Sequence, residues 1–319
     1  MADTDPNSGP LFVSSGDLVS DRRYKAAVEL AGRGDFAAAA DVLMQTVEAA
    51  PSFATAWFAL GAIRDRLGDH DGAVAAFRAA SRADPDDYHG ARLQLARLGA
   101  GARTPAMTEP YVRRLFDQYA GRYDAALTEH LHYRGPAFLR DAVKSALEAL
   151  GRPMRFESLL DLGCGTGLVG QVFRPFAARL VGVDLSAAMI ARAEAKGDYD
   201  RLVVGNLAAF LSDEIAEDEK YDLVLAADVF VYVNDLAPLF VDIVRVLAPR
   251  GVAAFTVETH SGTGVALLPT LRFAHGERYL RDAMAVAGLE LLALEQAAIR
   301  TEKATPVAGL VIVAISART

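Results

Sequence analysis

The stretch "LLDLGCGTGLVG", residues 159–170, constrains the fold of this 319-residue chain more than any other. Gly163, Gly165, Gly167 and Gly170 follow an apolar run that ends at Leu162. The run reads as a buried strand, and the residues after Gly167 read as a helix. A glycine-rich turn between strand and helix lets backbone approach a ligand closely and aims a helix N-terminus at it. The alternation continues downstream. Strands are expected at 156–162, 179–184, 201–205, 221–227 and 251–257, with helices near 167–177, 187–196, 207–214 and 236–247. Apolar strands alternating with helices mark a mostly parallel sheet covered on both faces. After a helix at 277–287, the β-rich runs 289–299 and 307–317 have no helix between them. They are expected as an antiparallel pair at the sheet edge.

The first hundred residues are of another kind. They are Ala-rich and helical from about residue 20, behind a polar tail at 1–18. In "ATAWFALGAIRDRLGDHDGAVAAFRAASRADPDD" (54–87), Trp57, Leu60, Gly61, Gly68, Ala73, Phe77, Ala80 and Pro85 fit the tetratricopeptide pattern. Trp57, Leu60, Gly61 and Arg64 share one helix face. The pattern recurs 34 residues earlier at Ala27, Gly34, Ala39, Leu43 and Pro51. Residues 88–100 read as a capping helix. "GAGARTPAMTEP" (99–110) reads as a linker. The expected organisation is a tail at 1–18, repeats and cap at 19–100, and an α/β domain at 109–319. Repeats of this kind present a surface to a protein partner, or pack and self-associate.

Composition narrows the partners. The formal net charge is −8, which argues against nucleic acid, since phosphate contacts want a basic face. The start "MADTDPNSGP" has no basic segment and no apolar run, so no signal peptide is expected. No stretch reaches the roughly 18 apolar residues of a membrane span. Cys164 is the one cysteine, which points to a reducing, cytoplasmic setting. It reads as a small residue in a tight turn, with no sequence neighbour to activate its thiol. No Cys/His cluster has metal-ligand spacing, so no metal is expected.

The glycine loop fits two registers. Gly165 to Gly170 gives G-x-G-x-x-G, the dinucleotide pattern. Asp161 with Gly163, Gly165 and Gly167 gives acidic-x-G-x-G-x-G, the loop that holds S-adenosylmethionine. Asp161 favours the second, because its carboxylate repels a pyrophosphate and suits the ammonium of a methionine moiety. Asp184 ends the second strand and can accept both ribose hydroxyls, a feature of both cofactor classes. Ser186 reads as the N-cap of the next helix, with Met189 towards the adenine. The helix-free β pair at the end also departs from dinucleotide folds.

With these residues in place, 156–257 resembles the core of class I S-adenosylmethionine-dependent methyltransferases. "LLDLGCGTG", "VGVDLS", "YDLVLAADVFVYVNDL" and "VLAPRGVAAFTVE" match its motifs in order and spacing. The whole chain resembles a bacterial group of repeat-containing methyltransferases. The resemblance implies a Rossmann-like α/β fold, a seven-stranded sheet with its last strand antiparallel, preceded by a small all-α repeat domain. It places Gly163, Cys164 and Gly165 beside the methionine moiety, Asp184 on the ribose and Leu185 on the adenine face. Family members often carry an acidic residue after strand three. Here Asn206, followed by Leu207, stands in its place, with a side-chain carbonyl able to accept the adenine amino group. Asp228 ends strand four and faces the donor or the acceptor, or else forms a turn.

In similar enzymes the segment "FDQYAGRYD" closes over the donor, which implies a role for Tyr119, Arg122 and Tyr123 on the methionine carboxylate. Phe116, Tyr119 and Tyr123 also recur at packing spacing. His260, His275 and Tyr232 are the candidate bases for an acceptor proton. "IRTEKATPVAG" (299–309) carries Arg300, Glu302 and Lys303 and reads as a holder of an acidic acceptor or as a solvated charged turn. The implied activity moves a methyl group from S-adenosylmethionine, leaving S-adenosylhomocysteine, to a small or carrier-bound acceptor by in-line displacement. The alternatives are methylation of a protein recruited by the repeats, and a binding module with an inactive fold.

Overall fold

Residues 12–120, 134–302 and 305–317 are described by a computed structural model. Helices α1 (Leu18–Gly32), α2 (Phe36–Ala49), α3 (Ala54–Arg66), α4 (His70–Ala83) and α5 (Ala91–Arg97) pack into one unit, residues 12–111 with Leu267–Arg272. Asp17, Asp35 and Asp69 cap α1, α2 and α4, each accepting a backbone N–H in the first turn. Gly34 and Gly68 take left-handed φ of +85° and +81° at equivalent turns, 34 residues apart as the repeat requires. At Gly61 a Cβ would stand 2.8 Å from the Phe77 ring, so only glycine lets α3 and α4 approach this closely. Leu43, Leu60 and Phe77 are fully buried between the helices.

The rest of the described chain forms a second unit around one sheet. Its strands are β1 (Phe156–Leu162), β2 (Ala177–Asp184), β3 (Arg201–Val204), β4 (Tyr221–Ala226), β5 (Leu247–Glu258), the short β6 (Val265–Leu267) and β7 (Phe273–His275), then β8 (Leu289–Glu302) and β9 (Thr305–Ser316). The main order is β3-β2-β1-β4-β5-β9-β8. The first five strands run parallel, and β9 is antiparallel to both its neighbours. This is the seven-stranded arrangement expected from the sequence.

Helices α6 (Glu109–Tyr119), α7 (Gly135–Ala149), α8 (Leu168–Phe173), α9 (Ala187–Lys196), α10 (Leu207–Ala216), α11 (Ala237–Val246) and α12 (Glu277–Ala287) accompany the sheet. Strand alternation sends Leu160, Leu162 and Phe255 into one apolar layer and Leu159, Leu223 and Val252 into the other. Both faces are covered, which is why the strands read as unbroken apolar runs.

The expected boundaries shift most at α8 and β5. Helix α8 ends at Phe173, because Pro175 opens the short 3-10 turn that follows. Strand β5 begins at Leu247, before a register shift at which Arg250 adopts φ +55°. Helix α6 ends at Tyr119, and 121–133 lie outside the described residues. Strands β6 and β7 were not expected. β7 pairs with β5 through Glu258 and Ala274.

The chain leaves β1 for β2 and β3 on one side and returns to β4 on the other. Such a reversal opens a crevice at the carboxyl ends of β1 and β4. The segments after β1, β2 and β4 all end there. Among the described residues no helix is long and apolar enough to cross a membrane.

Candidate cofactor and acceptor site

The loop after β1 is held open by its glycines. Gly163, Gly165 and Gly167 adopt φ of +68°, +54° and +90°, where a side chain is strained. A Cβ at Gly163 would collide with the Val229 side chain, which follows β4. The amides of Gly163 and Cys164 donate to the Val183 carbonyl at 2.8 and 3.0 Å, fastening the loop to β2.

Asp184 joins the loops after β1 and β2. Its Oδ2 accepts the Gly165 N–H at 3.0 Å, and its Oδ1 accepts the Ser186 N–H at 2.8 Å. Burial raises its carboxyl above the ordinary carboxylate range, against the pull of these bonds. Ser186 caps α9 by accepting the Met189 N–H at 3.1 Å, and its hydroxyl donates to Asp117 on α6 at 2.5 Å. The neighbouring Phe116 meets Tyr232, after β4, edge to face with ring centres 5.1 Å apart. Helix α6 thus bridges the segments that follow β2 and β4.

Asp161 sits on β1, fully buried. Tyr199 donates to its Oδ2 at 2.6 Å and accepts the Gly170 N–H at 3.0 Å. A Cβ at Gly170 would run into the Tyr199 ring, and one at Gly182 would lie 2.8 Å from it. Burial pushes the Asp161 carboxyl up to about 7. Its Oδ1 has no partner among the described residues. A buried oxygen without a donor is costly, so this position suits a cationic or N–H group brought by a ligand. The glycine cradle and this orphaned carboxylate oxygen fit the methionine end of S-adenosylmethionine.

Two expected cofactor contacts, those of Met189 and Asn206, are corrected by the packing. Met189 is fully buried in α9 and presents no surface to an adenine. The Asn206 carbonyl caps α10, accepting from Ala208 at 2.9 Å and Ala209 at 3.4 Å, so it is already engaged. Leu207 is half-buried against the apolar layer, and Leu185 is half-buried beside Asp184. Cys164 is buried, and burial pushes its thiol well up, which leaves no reactive thiolate.

His260 is a turn fastener: its Nδ1 accepts the Gly262 N–H at 3.0 Å, which puts the proton on Nε2, donating to the Gly264 carbonyl at 2.9 Å. His275 is fully buried, donates from Nε2 to the Val233 carbonyl at 3.0 Å, and is pushed down to about 4 by burial. Neither imidazole is placed to take a proton from an acceptor. Arg300 is not in a solvated turn: it is buried and bonded to Asp228 and Glu258. The side chain of Tyr119, and Arg122 and Tyr123, lie outside the described residues.

Sequence reading missed Tyr199, Asp117 and Glu258.

Residues 160–255 match the family model of a methyltransferase domain, and residues 24–88 match that of a tetratricopeptide repeat. A ubiquinone biosynthesis O-methyltransferase of Rhodopseudomonas palustris (strain BisB5) is 30% identical over 119 residues, 36% of this chain and 47% of that protein. The one from Nitrobacter winogradskyi is 31% identical over 134 residues, 41% of this chain and 51% of that protein. The chain spans about half the length of the curated relatives it matches. The magnesium protoporphyrin IX methyltransferase of Synechocystis PCC 6803, solved with bound SAH, shares the fold: TM-score 0.50, 17% identity, 65% of this chain and 99% of that one.

Proposed function

The chain carries a methyltransferase domain preceded by tetratricopeptide repeats, and from that premise we propose that it is an S-adenosylmethionine-dependent methyltransferase acting on a small or carrier-bound acceptor. The observation that carries the reading is the union of the glycine loop with Asp184, which locks the ends of β1 and β2 into one cradle. When bound, S-adenosylmethionine supplies an activated methyl group on a sulfonium.

The chain's own residues position it. Gly163, Cys164 and Gly165 offer backbone to the methionine part, Asp161 takes the ammonium, and Asp184 accepts the ribose hydroxyls. Leu185 and Leu207 flank the adenine. Tyr232, edge-on to Phe116, and Asp228 line the acceptor side. With an activated donor, holding the acceptor in line supplies much of the rate, and no imidazole base is required. The relatives' names favour an oxygen acceptor. The relatives named above are bacterial, and the single buried cysteine is consistent with the bacterial cytoplasm.

Titration calorimetry with S-adenosylmethionine tests the reading. The full chain should bind, and Asp184→Ala should bind at least ten-fold more weakly. No binding by the unaltered chain sinks it. The repeats support a second reading, in which they recruit a protein target. Deleting residues 1–100 would then abolish modification while sparing donor binding, and modification that survives the deletion refutes it.

A further inference from the structure

The carboxyl ends of β4 and β5 hold an ion group in which Arg300 and Glu258 have as yet no role. Arg300, on β8, is 1% exposed. Its Nη1 donates to Asp228 Oδ1 at 2.5 Å, and its Nη2 donates to Glu258 Oε1. A bulge makes this inward turn possible. The pairing of β8 with β9 slips between Ala298 and Thr301, and both Ile299 and Arg300 are buried although they are consecutive. Glycine at 309 leaves the space that Ile299 fills, since a Cβ there would stand 2.5 Å from its Cδ1.

Asp228 is held from two more directions. Its backbone is left-handed, φ +58°, and its N–H donates to the buried Thr256 hydroxyl on β5 at 2.8 Å. The next residue, Val229, fills the place a side chain would take at Gly163. A continuous line of contact therefore runs from Arg300 through Asp228 and Val229 to the first glycine of the loop. Arg300 reaches two carboxylates with one planar group, which a lysine cannot match.

We infer that Arg300 is a positioning residue of the site: by clamping Asp228 to Glu258 it fixes the left-handed turn after β4 and so the seat of Val229 under the glycine loop, setting the affinity for the donor. The inference rests on the donor reading above. Arg300 acts through Asp228 and Val229 and touches no reacting atom. Because it is neutralised by two acids, it is not available to hold an acidic acceptor.

The test separates positioning from mere support. Removing Arg300 alone takes a charged partner from Asp228 and from the buried Glu258, so Arg300→Met is expected to lose both stability and binding. The double variant Glu258→Met with Arg300→Met replaces the inner pair by apolar side chains of similar volume. It should melt within a few degrees of the unaltered chain yet bind S-adenosylhomocysteine at least ten-fold more weakly by calorimetry. Arg300→Lys should recover only part of the affinity. Should the double variant fail to fold, Asp228→Gly gives the same answer, because it keeps the left-handed turn and removes the anchor. It too should bind at least ten-fold more weakly. Native affinity in a folded double variant, or in Asp228→Gly, overturns the inference and leaves the donor reading intact. Failure of the unaltered chain to bind S-adenosylhomocysteine overturns both.

Discussion

Asp161 and His275 are both buried, and burial moves them in opposite directions. Asp161 is pushed up to about 7, with Tyr199 opposing and Asp184 adding to the rise. An unfolded aspartate titrates near 3.9, so between about 4 and about 7 the native chain holds a proton that the unfolded chain has released. Stability from this group is present at low pH and is lost as pH rises through about 7. Asp161→Asn keeps an acceptor for Tyr199 and removes the titration. Its stability relative to the unaltered chain should therefore climb from pH 5 to pH 8, by about 1.4 kcal/mol at most per unit. Melting curves at the two pH values check this, and a constant offset contradicts it. Donor binding should strengthen over the same window, since only the carboxylate attracts an ammonium.

His275 is pushed down to about 4 by burial, the Val233 carbonyl opposing. Between about 4 and about 6.5 the unfolded chain holds the extra proton, so this stability is present above that window and is lost on acidification. His275→Gln keeps a donor for Val233 without a titrating ring. It should lose less stability than the unaltered chain when pH falls from 6.5 to 4, as urea melts at each pH will show.

Helix α8 shows how an element is tuned by a residue distant in sequence. Gly170 lies in its first turn, where alanine would ordinarily favour the helix by about 1 kcal/mol. Here the Tyr199 ring occupies the space of a Cβ, so Gly170→Ala should destabilise, by about 1–3 kcal/mol. Tyr199→Phe keeps the ring but leaves the Gly170 N–H and Asp161 Oδ2 without that partner, at a cost of about 1–3 kcal/mol. Urea denaturation of both variants decides the sign, and a stabilised Gly170→Ala would rule out the ring as the reason for glycine. The elements themselves were legible: periodicity located the strands, the helices and the terminal antiparallel pair. Their side-chain partners were not. A lone tyrosine in "KGDYDR" carries no linear sign that it lies beneath two glycines. A string of charges at 299–303 reads as solvent-facing until the β8 bulge turns Arg300 inward. The Asn206 carbonyl and both histidines looked available because capping and turn bonds are invisible to spacing.

The chain builds two kinds of core from one sequence, each legible through its own period. The 34-residue recurrence gave the repeats, and strand–helix alternation with the glycine loop gave the sheet and its crevice. On the proposed reading the acceptor side is built by α6, the β4 end and the last strands, where no repeating pattern exists to read. The helical layers, around Leu43, Leu60 and Phe77, and the two sheet layers are separate apolar clusters. Damage to one should therefore leave the chemistry of the other in place. Phe77 is fully buried, pairs with Phe58 at 5.4 Å between ring centres, and fills the space beside Gly61. Phe77→Ala removes that filling and should cost the helical unit about 3–5 kcal/mol. A small repeat unit has little stability to spare, so it should melt early, as a separate calorimetric transition. Affinity for S-adenosylhomocysteine should stay within about two-fold, because that difference is well under 1 kcal/mol. Loss of donor binding together with the early transition would show that the repeats are needed to hold the cradle, and that the cradle is not the property of residues 109–319 alone.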